Sequence, residues 1–157
     1  MSVSQRLRDL LDQNGVKYVV ITHSQAFTAQ EVAQSLHIPG QEMVKSVVLN
    51  CPEGMVLAVV PAKSRVDLER LVPPLSGKVT LAGEKEFAQR FPECEVGAMP
   101  PFGRLYGLRT YVDESLALDQ EIVFNAGTHV EAVRMAFADY RRLEAPTVLR
   151  FAAAGAA

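Results

Sequence analysis

Three segments of this 157-residue chain carry residue types that could do chemistry. The first is Lys45, within Met43-Val44-Lys45-Ser46-Val47-Val48-Leu49. Alternate residues of a strand share a face, so Lys45 lies beside Met43, Val47 and Leu49. Val44 and Val48 make the other face apolar as well, and a strand apolar on both sides is usually central and buried. A lysine there is costly unless its ammonium meets an anion or a wet cleft. The alternative is a lysine that reaches solvent along its own stem.

The second segment is Gly97-Ala98-Met99-Pro100-Pro101-Phe102-Gly103. Each proline fixes its own φ, lacks an N–H and pushes its predecessor towards extended geometry. Gly97 and Gly103 permit close approach of another group. A stiff run of aimed amides, those of Gly97, Ala98 and Met99 foremost, suits a carbonyl oxygen that gains charge during acyl transfer. It also suits a plain rigid connector. The third segment is Asn125-Ala126-Gly127-Thr128-His129. Gly127 would let the chain turn tightly after a strand. His129 could bond a substrate group or take a proton, or be a partly buried histidine held by a carbonyl. His23 reads as structural.

Other chemistries find little support. Two cysteines, Cys51 and Cys94, are far apart, and the three histidines lack HxxxH or HExxH spacing, so no metal or other cofactor is expected. There is no GxSxG elbow, P-loop or GxGxxG run, and no serine in a recognisable nucleophile setting. A net charge of −2 is not that of a protein gripping long nucleic acid, so any RNA contact should be with a short end. No apolar run is long enough to span a bilayer, and no signal-peptide pattern opens the chain, so a cytoplasmic location is expected.

The elements that must position these residues read as one domain, residues 1–157. Helical spacing runs from Ser4 to Asn14, followed by a strand from Val16 to Ile21. Thr28-Ala29-Gln30-Glu31 fits a capping box. Met43 to Asn50 and Met55 to Val60 form a hairpin around Cys51–Gly54. A short helix opens at Ser64, a strand covers Val79 to Leu81, and a short helix covers Glu84 to Arg90. Leu105 to Leu108, Thr110 to Asp113 and Glu121 to Asn125 read as strands. Val130, Val133, Phe137 and Tyr140 fit a helix capped by Thr128 and Glu131, and the end from Phe151 reads as frayed. Interleaved helices and strands with short turns predict an α+β domain around a mixed, largely antiparallel sheet.

The chain resembles the YbaK / prolyl-tRNA synthetase-associated editing family, from about Val16 to Leu143. The likeness is carried by Thr28–Glu31, Val44-Lys45-Ser46-Val47-Val48, the Gly97–Gly103 loop, Tyr111-Val112-Asp113-Glu114-Ser115 and Phe124–His129. It implies a barrel-like sheet surrounded by helices, and a cleft holding Lys45 and the GxxxP loop, whose fixed ends are Gly97 and Pro101. It implies hydrolysis, in trans, of tRNA for proline carrying alanine or another small amino acid. Lys45, Gly97, Ala98 and Met99 would be catalytic. Ser46, Pro101, Gly103, Gly127 and His129 would bind substrate. Ser46 departs from the asparagine found in several members. The resemblance also makes Val130 to Met135 a strand. The expected partners are a tRNA acceptor end and a synthetase, with no membrane and no metal. A module that only binds aminoacyl-adenosine and docks on a synthetase is the rival reading, and a small-molecule esterase the third.

Overall fold

The computed structural model describes residues 4–22, 43–71, 75, 77–118 and 120–154. His23, His37 and the capping box at Thr28–Glu31 lie outside them. Helix α1 (Gln5–Gln13) buries Leu7 and Leu11, and Gly15, at φ +64°, turns the chain into β1 (Tyr18–Thr22). The expected hairpin is present as β2 (Val44–Cys51) and β3 (Gly54–Pro61), paired from Val44↔Pro61 to Cys51↔Gly54. Then come β4 (Ser64–Val66), a 3-10 turn at Leu68–Leu71, β5 (Thr80–Leu81) and α2 (Glu84–Phe87). After the Gly/Pro loop follow β6 (Arg109–Asp113), β7 (Glu121–Thr128), β8 (Glu131–Ala136), α3 (Phe137–Glu144), β9 (Thr147–Leu149) and β10 (Ala152–Ala154).

The strands form sheets of order β1-β8-β7, β10-β4 and β5-β2-β3-β6-β9. The larger sheet is mixed, because β3–β6 and β6–β9 are parallel. A parallel bridge, Met43↔Val123, joins the start of β2 to β7. The architecture is the expected α+β domain, but the sheets stay open and do not close into a barrel. The main core packs Leu7, Val48, Phe102, Phe124, Val133 and Tyr140 between the two larger sheets. A second core, around Leu49, Ala58, Leu71 and Phe151, covers the other side of the five-stranded sheet.

Four expectations fail, each for a tertiary reason. The helix expected from Val130 begins only at Phe137, as the resemblance implied, and Thr128 pairs with Glu131 across the β7–β8 hairpin. Val133 and Met135 alternate into the core while β8 hydrogen-bonds to both β1 and β7, which outweighs helical spacing. Leu105–Leu108 is not a strand, because a 3-10 turn at Gly103–Tyr106 ends at Gly107 with φ +76°. Ser64 lies in β4 rather than in a helix, paired to β10 through Ser64↔Ala154. The same pairing orders the chain up to Ala154, where fraying was expected.

Asp113 explains that order. Its Oδ1 accepts the amides of Phe151 (2.9 Å) and Ala152 (2.8 Å), and its Oδ2 accepts the Ser115 amide and hydroxyl. Burial raises the carboxyl, but these hydrogen bonds outweigh it and hold the group below the ordinary carboxylate range. A group so lowered contributes its stability in full above the unfolded carboxyl pKa of about 4 and loses it as pH falls through the folded value. Asp113→Ala should therefore cost on the order of 2–3 kcal/mol at pH 7. Denaturant melts at pH 7 and pH 3 should show the difference shrinking at the acid end.

Candidate active site

Both ends of the Gly97–Gly103 loop are bound down, so its stiffness comes from more than its prolines. At the first end the Gly127 amide donates to Ala98 O (2.8 Å), and the Glu95 amide donates to Gly127 O (2.8 Å). Gly127 takes φ +100°, and a Cβ there would stand 3.3 Å from Ser4 Cβ, so glycine is needed for the strand to meet the loop. At the far end Tyr140 Oη donates to Pro101 O (2.8 Å), and the Gly103 amide donates to Thr110 Oγ1 (3.1 Å). Phe102 is buried edge-on against Phe124 and Tyr140.

These bonds sort the loop's donors. Ala98 N–H already donates to Glu95 O (3.0 Å), which removes it from the expected oxyanion set. The amides of Gly97 and Met99 have no acceptor among the described residues. Gly97 is exposed at φ +86°. Pro101 and Gly103 are buried with their polar atoms engaged, so they anchor the loop and present nothing to a ligand.

His129 is 5% exposed, and its Nε2 lies 2.8 Å from Val96 O. A carbonyl only accepts, so Nε2 carries the proton in this contact. The His129 amide donates to Glu95 Oε1 (3.1 Å). The histidine thus braces the segment leading into Gly97. Glu95, Thr110 and Tyr140 were not singled out from sequence. Tyr140 showed only as one more apolar position at helical spacing, and nothing local marks Glu95.

Lys45 is half-buried, and loss of hydration lowers its pKa. β7 links it to the loop. Met43 bridges Val123 in the parallel sense, so Lys45 and Asn125 each lie two residues beyond this contact in the same chain direction. Gly127, where the loop is tied, is two residues further, about 7 Å along the strand. Bridge partners share a face, so Lys45 stands on the face of Val123 and Asn125, away from the main core. Ser46 points the other way, to the face of Val44 and Val48, and its Oγ is buried without a hydrogen-bond partner. Lys45 and Ser46 thus stand on opposite faces of the strand.

Behind the loop, Glu144 Oε2 accepts from the Thr110 hydroxyl and from the Arg104 amide (3.2 Å). Burial pushes its carboxyl up to about 7, against these hydrogen bonds, which lower it. A raised acid favours the fold most below its unfolded pKa, and that advantage fades as pH rises from about 4.5 to 7. Glu144→Gln keeps an acceptor for Thr110 and has no proton to lose. Its melting temperature, followed from pH 5 to pH 8, should fall less than that of the parent protein. Among the described residues, no group of three or more His, Cys, Asp or Glu side chains could hold a metal, and no helix is long and apolar enough to cross a membrane.

Comparison with known proteins matches residues 23–143 to the aminoacyl-tRNA editing domain. The multifunctional Ser/Thr-tRNA deacylase ProXp-y of Escherichia coli is 31% identical over 153 residues, which cover 94% of this chain and 91% of that protein. A crystal structure of a proposed trans-editing enzyme for prolyl tRNA synthetase superposes with TM-score 0.80 at 27% identity, covering 96% and 98% of the two chains. A hypothetical protein at 16% identity shares the fold with TM-score 0.86, over 95% of this chain and all of its own.

Proposed function

The chain belongs to the aminoacyl-tRNA editing domain family, and from that premise we propose that it works in trans as an aminoacyl-tRNA deacylase, hydrolysing the ester of a tRNA misacylated with a small amino acid. The observation that carries this reading is the pair of amides, Gly97 and Met99, that have no acceptor among the described residues, in a loop bound at both ends. The acceptor end enters with its ester carbonyl towards these donors. Lys45 holds a phosphate or ribose oxygen of the terminal adenosine as a compact charge. Water adds to the carbonyl carbon, and the oxyanion is met by the Gly97 and Met99 N–H groups. The bond to the ribose oxygen then breaks, that oxygen takes a proton, and free amino acid and tRNA leave. The substrate's other ribose hydroxyl relays the proton, since no protein nucleophile or base is needed for an ester so positioned.

His129 acts as a positioning residue, holding Val96 so that Gly97 keeps its aim. Near-neutral charge fits a protein that grips only the end of its RNA. A separate sieve is useful because one methylene gives a synthetase only about 1–3 kcal/mol of discrimination. Charged tRNA is consumed in translation, which goes with a cytoplasmic location. Alanine on tRNA for proline is one candidate cargo, from the family resemblance. Serine and threonine are the others, from the name of the Escherichia coli relative. The test is release of amino acid from tRNAs charged with alanine, serine, threonine and proline. Acceleration on the mischarged species over the correctly charged one is expected, and no acceleration on any of them would end the reading.

A further inference from the structure

Arg90, Arg104 and Arg109 gather around the turn at Gly107. Arg104, Gly107 and Arg109 line a hollow of about 400 Å³, with Glu144, Ala145 and Thr147 opposite. Arg90 Nη2 comes 4.0 Å from where a Cβ on Gly107 would stand. All three arginines are exposed, and none forms a salt bridge among the described residues. Glu144 offsets little of this charge. Its Oε2 is taken by the Thr110 hydroxyl and the Arg104 amide, and burial pushes its carboxyl up to about 7. A second hollow, of about 470 Å³, adjoins the first at Arg104 and Glu144, but its Arg142 is already met by Asp139. Grouped guanidinium groups without counter-ions repel one another, so the arrangement around Gly107 favours an anionic partner.

We propose that this hollow binds a backbone phosphate of the tRNA acceptor stem, apart from the catalytic loop and within the first turn of the duplex. The inference rests on the editing reading above for its ligand. Arginine's planar fork matches two phosphate oxygens at once. The hollow is within reach, because Arg104 follows the loop anchor Gly103 and the steps from Gly97 to Arg104 span at most about 25 Å. A duplex strand carries a phosphate for roughly every 3.4 Å of its axis, so a stem whose ester lies at Gly97 passes several over that distance. An exposed rim suits a phosphate delivered on a strand already held elsewhere. A free anion would have only these few solvent-screened contacts.

The experiment compares the parent with Arg90→Gln, Arg109→Gln and the double variant on two substrates. One is a charged tRNA, and the other is the same amino acid esterified to adenosine alone. Both positions are exposed and away from the loop anchors, so the melting temperature should hold. On charged tRNA, KM should rise about threefold in each single variant and about tenfold in the double, with kcat kept. The slope of log KM against log salt should flatten by about one for each arginine lost. Hydrolysis of the adenosine ester should not change. Equal losses on both substrates would place the effect in the catalytic loop and overturn the proposal, as would an unchanged KM on charged tRNA. Pyrophosphate binding that the double variant abolishes, with KM for tRNA unchanged, would make this a site for free anions and overturn it too. Should the parent hydrolyse no charged tRNA, the editing reading falls, and binding of uncharged tRNA reads the hollow independently. Weaker binding in the double variant supports the site, and equal binding overturns it.

Discussion

Lys45→Ala should lower kcat/KM for mischarged tRNA by about a hundredfold or more, with the fold intact. The size follows from losing one charge-assisted contact in a site where the protein offers few other groups. Lys45 is the second residue of β2, half-buried, with its pKa lowered by lost hydration. Below the folded pKa that dehydration cost is present in full, and it is relieved only as pH rises towards the unfolded value. At neutral pH, therefore, Lys45→Met should keep or raise the melting temperature while activity collapses. A residue kept for packing would show the opposite pattern, with stability lost and activity following it. Lys45→Arg is expected to recover activity only in part, because a planar fork replaces a point charge. Full activity in the Ala variant would remove Lys45 from the mechanism.

Gly103→Ala should be the most damaging single methyl in the loop. A Cβ at residue 103 would stand 2.5 Å from Thr110 Oγ1 and 2.9 Å from Leu108 O. The second of these is main chain and cannot swing aside. The displaced Thr110 is the group that receives the Gly103 amide and donates to Glu144. Overpacking of this kind costs about 1–3 kcal/mol, before the broken relay is counted. Since the same anchor sets the far end of the loop, kcat should fall more than KM rises, as misaimed donors weaken transition-state binding first. Glycine tolerated as alanine here, with wild-type stability and turnover, would show that the far anchor does not govern the loop. Ala98, at the near end, offers a contrast. Its amide is engaged, so its contribution is to shape the loop and not to donate to substrate.

What the residues alone determined was local and periodic. The β2–β3 hairpin follows from two apolar runs around Cys51–Gly54. The misplaced cation at residue 45 and the stiff loop from residue 97 to 103 were both visible, because alternation and proline chemistry act over a few residues. Only the tertiary structure decided how the loop is held, since Gly127 N and Tyr140 Oη, which take the carbonyls of Ala98 and Pro101, come from distant parts of the chain. It likewise made Glu131–Ala136 a strand by giving β8 two neighbours, and it tied down Phe151 and Ala152 through Asp113. Pairing across long separations carries no signature in any one segment, as each partner's energy exists only once the other has arrived. For the same reason Asn125 looked like an ordinary strand residue. Its unmet acceptor is a property of what surrounds it.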